Sequence, residues 1–316
     1  MICNFCYRHC DIKEGNFGFC GVRQVKNNKL ISPNYGLLES IAIDPVEKKP
    51  LYHFLPGSKT LSVAEVGCNF RCHFCQNWQL SQAKQSLNNQ YMSPKNLVNL
   101  ALEYKVPSIS FTYSEPIVWQ DYVIDTAKIA KQNNLKTIMV TNGSFSKEAR
   151  ESLSPLIDAF NIDLKGDSNY YKEICIGNIE PVLEGIKYLI EAKNHVEVTT
   201  LLIEGIHTRK IVDNIAKTLK TCGVKVWHLS RFFPNYKMND FNATSENFLS
   251  EMVNIAKNNG IDFVYGGNTK LPTPTICPNC KEILISDHIS SSYIKNNLKI
   301  ENGKCKFCGT KIYGLF

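Results

Sequence analysis

Nothing in this 316-residue chain is apolar for long enough to cross a bilayer. The N-terminus, MICNFCYRHC, lacks the apolar stretch of a secretory signal. The expectation is a cytoplasmic protein with no membrane partner. Charge of one sign is also scarce: 36 basic against 29 acidic residues leave +7, spread along the chain with no dense basic run. A nucleic-acid surface would call for a clustered basic face with exposed aromatics, so nucleic acid ranks low among partners. Repeats and low-complexity tracts are missing too, and an apolar share of 43% suits a globular core. The length allows one large domain with appendages or two ordinary domains.

Cysteine is the residue in excess. There are 13, an odd count, and most fall in C-x-x-C or C-x-x-x-C spacings. Without a secretion signal such spacings read as metal ligands rather than disulfides. Three groups emerge: Cys3, Cys6, Cys10 and Cys20; Cys68, Cys72 and Cys75; Cys277, Cys280, Cys305 and Cys308. Cys175 and Cys222 stand alone and read as small core residues.

Between about 60 and 265 the hydrophobic pattern alternates between short strands and helices. Strand candidates are 61–66, 108–112, 136–140, 159–164, 196–203 and 225–230, with 261–265 as an added edge strand. Helical patterns cover 93–104, 117–132, 146–154, 181–193, 208–220 and 245–257, with Ser93 and Thr208 as caps and Gly260 as a stop. Six strands alternating with six helices imply parallel pairing by right-handed crossovers, as an open doubly wound sheet or a barrel. The predicted layout is a Cys-rich module at 1–58, irregular in structure, an α/β core at 59–267 and a Cys-rich module at 268–316.

The triad Cys68, Cys72 and Cys75 follows the first core strand, at the edge where α/β folds place active sites. A structural zinc site wants four ligands, and the nearest substitute is His73. Three thiolates suit three irons of a [4Fe–4S] cube, leaving one iron open. The missing fourth cysteine thus favours a reactive site.

The segment CNFRCHFC resembles the signature of the radical S-adenosylmethionine (radical SAM) enzymes. That resemblance implies a partial (β/α)6 barrel whose open iron chelates the amino and carboxylate groups of SAM. Phe74, before the third cysteine, would lie near the adenine. Ser114 and Glu115 in FTYSEP resemble the motif that receives the SAM amino group. Thr141 and Asn142 in VTNG are placed to reach ribose hydroxyls, and Gly143 lets the backbone turn. Asp163 in DLKG resembles an aspartate that helps hold a monovalent cation near SAM, and His228 in WHLS a ribose-contacting histidine. Each has an ordinary alternative: a T-N-G turn, a helix-start carboxylate ahead of Pro116, an Asp163–Lys165 solvated pair and a satisfied core imidazole.

The chain as a whole resembles a branch related to pyruvate formate-lyase activating enzyme, most nearly the radical SAM component of the AmmeMemoRadiSam system. The resemblance rests on CDIKEGNFGFCGVR (10–23), DPVEKKPLYHFLPGS (44–58), GCNFRCHFCQNWQLSQ (67–82), WHLSRFFPNYKM (227–238) and the terminal TICPNCKEILISD and GKCKFCGTKIYG. It implies reductive cleavage of SAM, with an electron from flavodoxin or ferredoxin, and hydrogen abstraction from an unidentified substrate. AmmeMemoRadiSam proteins are candidate partners. A glycyl-radical activase is one alternative, although the eight-cysteine insert common in such activases is absent. A zinc-ribbon protein that binds or modifies nucleic acid is another. Cys277-Pro-Asn-Cys280 and Cys305-Lys-Phe-Cys308, with 24 residues between, are two knuckles that suit a closed structural Zn²⁺ site; iron or an auxiliary cluster is the rival. The N-terminal four, with His9 as a substitute, are a candidate second metal site for zinc, an auxiliary cluster or free thiols.

Overall fold

The computed structural model describes residues 1–87, 90–288, 294 and 297–316. Segments 289–293 and 295–296 of the C-terminal module lie outside the described residues, as do 88–89.

The core is one eight-stranded sheet: β1 (Ser40–Pro45), β2 (Lys59–Ala64), β3 (Ser108–Phe111), β4 (Lys136–Thr141), β5 (Ala159–Asp163), β6 (His195–Leu202), β7 (Val226–Arg231) and β8 (Phe263–Gly267). The strands lie side by side in chain order. β2 to β8 are parallel, and β1 pairs antiparallel with β2. A doubly wound sheet needs a point where the order reverses. Here the order never reverses, which decides for the open partial barrel.

Six helices connect the parallel strands: α1 (Pro94–Glu103), α2 (Gln120–Gln132), α3 (Lys147–Leu153), α4 (Glu180–Glu191), α5 (Arg209–Cys222) and α6 (Glu246–Asn258). Their starts follow local chemistry. Ser93, Ser146, Thr208 and Ser245 each accept a hydrogen bond from the backbone N–H three residues on. Gly223, in the left-handed region at φ 86°, ends α5. The strands alternate in kind. Leu61, Val63, Ile109 and Phe111 pack into the main core with Leu97, Val98 and Val123 of the helices. Thr60, Ser62, Ser108 and Ser110 are buried on the opposite face, where the Thr60 and Ser110 hydroxyls meet at 2.7 Å. The interior face is therefore polar at β2 and β3, while Ile138 of β4 and Ala159 of β5 meet Val46, Leu51 and Phe54 there.

Two expectations change. Residues 1–58 are not irregular throughout: Gln24–Lys26 and Lys29–Ile31 form a hairpin, and β1 extends the sheet. Its two isoleucines, Ile41 and Ile43, stay exposed, and the residue it buries is Asp44, so it lacks the signature of a core strand. The edge strand expected at 261–265 runs at Phe263–Gly267, with Ile261 buried just before it.

The C-terminal module contributes two small antiparallel pairs, Thr275–Ile276 with Ile283–Ile285 and Ile300–Glu301 with Lys304–Cys305. Its Cys277, Leu284, Ile300 and Ile312 share a core with Val226, Phe263 and Tyr265 of the barrel. The chain end is zipped to residues 53–55 by Leu55 N–H to Leu315 O at 2.7 Å and Leu315 N–H to His53 O at 2.8 Å. Among the described residues no helix is long and apolar enough to cross a membrane.

Candidate active site

The loop after β2 carries the triad. Gly67 opens it at φ 101°, and a Cβ there would come within 2.6 Å of Val22, so only glycine lets the N-terminal segment close on this turn. Cys68, Cys72 and Cys75 then line one wall of a cleft of about 360 Å³ at the C-terminal ends of the strands. That volume is within the roughly 300–1,000 Å³ of small-molecule sites. Phe74, Ser114, Glu115, Thr141, Asn142 and Asp163 line the same cleft. Six of the seven residues expected at a cofactor thus come together from four different strand ends.

Glu115 is the most heavily engaged. Its carboxylate accepts from Thr141 Oγ1 at 2.6 Å, Asn142 N–H at 2.7 Å and Ile117 N–H at 3.0 Å. Its own N–H donates to Gly67 O at 3.1 Å, beside Cys68. The bond to Ile117 is the helix-start role; the others brace β3, β4 and the cysteine loop against each other. Burial pushes the Glu115 carboxyl up to about 7, against these donors. Ser114 Oγ donates to Glu65 O at 2.5 Å and accepts from Trp119 Nε1 at 3.0 Å, so its hydroxyl shapes the turn. Asn142 Nδ2 donates to Asn69 Oδ1 at 2.8 Å, and its Oδ1 accepts from Ser144. Asp163 is paired with Lys165 at 2.7 Å and so has its counter-charge within the protein.

His228 is placed elsewhere. It does not line the cleft but lies deeper in the barrel, its Nε2 2.6 Å from Glu197 Oε2. Glu197 is fully buried and also holds His195 Nε2 at 2.9 Å and the N–H groups of Tyr52 and His53. Burial alone would raise this carboxyl, yet the two imidazoles bring it well below the usual range. His53 Nε2 meets Tyr265 OH at 2.7 Å, and Tyr265 leads through Thr275 to His288. The satisfied core imidazole is thus the role the geometry supports for His228.

Two features escaped the sequence. Cys175, 103 positions beyond Cys72, is buried beside it and holds the Cys72 thiol up; no spacing rule reaches across such a gap. Asp44 and Lys49 form an ion pair at 2.7 Å that is almost fully buried, joined by the Tyr113 hydroxyl. Tyr113 sits at φ 66°, unusual for a bulky residue, at the turn leading to Ser114 and Glu115. Burial pulls the Lys49 ammonium down, and Asp44 opposes that shift. The only hint in the sequence was charge within DPVEKKP.

The C-terminal cysteines form a compact group. Cys277 and Cys308 sulfurs are 3.6 Å apart, Cys280 and Cys305 sulfurs 3.7 Å, and all four lie within 4.8 Å of one another. A tetrahedral Zn²⁺ with Zn–S near 2.3 Å would separate its sulfurs by about 3.8 Å. The N-terminal Cys3, Cys6, Cys10 and Cys20 line one small cavity.

The sequence profile of the radical SAM superfamily matches residues 65–218, which hold the triad and the strands that bring Glu115, Thr141 and Asp163 to the cleft. An uncharacterized Methanocaldococcus jannaschii protein, MJ0808, is 40% identical over 98% of this chain and 94% of its own length. The chain belongs to the radical SAM superfamily. Among solved structures, SuiB of Streptococcus suis bound to precursor peptide SuiA has the same fold at 14% identity and a TM-score of 0.54, covering 71% of this chain and 52% of that one. MJ1632 of Methanocaldococcus jannaschii, named for glycyl-radical enzyme activation, is 27% identical over 60% of this chain and 72% of its own length. Membership makes this radical SAM protein an enzyme and implies a [4Fe–4S] cluster and SAM.

Proposed function

We propose that this enzyme holds its [4Fe–4S] cluster on Cys68, Cys72 and Cys75, binds SAM in the adjoining cleft and takes a hydrogen atom from a substrate admitted there. The carrying observation is three thiols on the wall of a cleft that also presents Glu115, Thr141 and Asp163, while Cys175, buried beside Cys72, does not line it. Bound there, the cluster and SAM would supply a 5′-deoxyadenosyl radical after one-electron reduction by a flavodoxin or ferredoxin. The chain's residues bind and orient. Glu115 offers a carboxylate to the SAM amino group, with acceptor capacity left beyond its internal bonds. Phe74 offers an apolar face to the adenine, and Thr141 and Asn142 flank the ribose. The half-buried Lys165 on Asp163 keeps that wall charged yet neutral as a pair. His228 anchors Glu197 beneath the site. At the C-terminus the four thiols hold one structural Zn²⁺, a closed set with no open position.

The whole-chain resemblance supports the AmmeMemoRadiSam branch, with its partner proteins as candidate substrates. A second reading, activation of a glycyl-radical enzyme, is favoured by the relatives named for that activity. Replacing Cys68, Cys72 and Cys75 together by Ala should abolish reductive SAM cleavage under anaerobic reducing conditions. Undiminished formation of 5′-deoxyadenosine by that variant would end the proposal. Adding deuterated candidate partners to the intact enzyme separates the readings, because label enters 5′-deoxyadenosine only from the true substrate.

A further inference from the structure

The four N-terminal cysteines lie outside the machinery described so far. Cys3, Cys6 and Cys20 are buried, Cys10 is half-buried, and all four line one cavity beside the triad loop. The chain carries its own scale for what such a group holds. The C-terminal sulfurs close to 3.6–3.7 Å, the spacing of a single tetrahedral ion. Among the described residues no other three thiols, imidazoles or carboxylates come within 4.8 Å of one another. The N-terminal four are therefore more widely spread than a single ion requires, as are Cys68, Cys72 and Cys75, the thiols of the superfamily's cube. A cube sets its thiolates on four separate irons and so spaces them more widely than one ion does.

The surroundings suit an anion. Arg23 lines the cavity, is 3% exposed, and its Nε has no hydrogen-bond partner. Its Nη1 is held by Asp121 and its guanidinium lies 4.0 Å from the centre of the Phe5 ring, so the group is fixed beside the cavity. An unpaired guanidinium N–H so deeply buried is costly without an acceptor. The Phe19 N–H donates to the Cys10 sulfur at 3.5 Å, a backbone contact of the kind that supports a bound thiolate. Gly18 closes the remaining side; a Cβ there would stand 3.1 Å from Ile12 and 3.7 Å from the Cys10 sulfur.

We propose that Cys3, Cys6, Cys10 and Cys20 bind a second [4Fe–4S] cluster, with every iron on a thiolate and none open to SAM. It adjoins the first through the protein. Arg8, on the cavity wall, donates from Nε to Asn69 O at 2.8 Å, and Asn69 Oδ1 accepts from Asn142, whose amide nitrogen is 3.9 Å from the Cys68 sulfur.

The test uses the full chain, reconstituted anaerobically with iron and sulfide. Wild type should carry about eight irons, and the Cys68/Cys72/Cys75→Ala variant about four, with a reduced electron paramagnetic resonance signal that SAM does not alter. Adding Cys6→Ser and Cys10→Ser to that variant should remove the remaining iron while the C-terminal ion stays, which shows that the chain is folded. The single Cys10→Ser change, at the half-buried ligand, should perturb the SAM-insensitive signal and leave the SAM-sensitive one. A triad variant that carries no iron and gains a second zinc, or no metal at these cysteines, overturns the proposal. The triad reading is judged separately, by whether the iron lost with Cys68, Cys72 and Cys75 is the SAM-sensitive part.

Discussion

Glu115 shows how a single side chain serves both structure and ligand. Three donors converge on it from β4 and from the helix start, and burial still holds its carboxyl up to about 7. Glu115→Gln exchanges one acceptor oxygen for an NH₂ that cannot receive the bond made there. A charge-assisted bond to the SAM amino group would be lost with it, worth about 1.5–3 kcal/mol. SAM affinity should fall by roughly tenfold or more, read by titrating SAM against the reduced cluster by electron paramagnetic resonance. Thr141→Val removes one internal donor and leaves the charge. Equal loss of SAM affinity in both variants would reduce Glu115 to a structural brace.

At the scale of elements, the site depends on how each strand stops. β4 ends in Thr141, and the chain turns at Gly143 in the left-handed region at φ 72°. A Cβ at that position would stand 2.6 Å from Ile162 of β5, and the Gly143 carbonyl is packed against Gly185 of α4. Gly143→Ala therefore combines an unfavourable backbone conformation with a clash, a cost of about 1–3 kcal/mol. Its midpoint of chemical unfolding should drop, and SAM should bind more weakly because the Asn142 N–H shifts off Glu115. A wild-type midpoint would show that β4 and β5 can part without cost. The turn motif reads as ordinary in the sequence; the neighbouring strand is what makes its glycine necessary.

At the scale of the molecule, the C-terminal module is joined to the barrel through buried imidazoles. Burial holds His53 down at about 4 and His288 at about 3, so both stay neutral in the folded protein. Unfolded histidines take up protons near 6.5. Between pH 6.5 and 4 the unfolded chain therefore binds more protons, so this contribution is fully present above about 6.5 and is lost as pH falls. At pH 5.5 the loss is about 1.4 kcal/mol for each histidine. Calorimetry on metal-loaded protein should show melting several degrees lower at pH 5.5 than at 7.5. His53→Gln should lower stability at both values and flatten the difference; an unchanged difference would locate the acid sensitivity elsewhere.

The sequence by itself determined the alternation of strand and helix, the helix caps and the three cysteine groups. These are local matters: period-2 and period-3.6 patterns, a hydroxyl three residues from an N–H, and ligands a few positions apart. It also located Glu115, Thr141, Asn142 and Asp163 at strand ends, because in a parallel sheet those ends share an edge. Tertiary structure alone decided the rest. The choice between a doubly wound sheet and a partial barrel lies in strand order, which no single segment encodes. β1 is a strand because β2 offers it an edge. His228 faces Glu197 rather than the cleft because it stands one inward step below Ser230, and depth along a strand appears only once the barrel has curved. Cys175 meets Cys72, and Tyr113 meets Asp44 and Lys49, across gaps where sequence separation carries no distance. The spread of the cysteine groups was likewise invisible: spacing in the chain names the donors, and only the folded backbone sets how far apart their sulfurs stand.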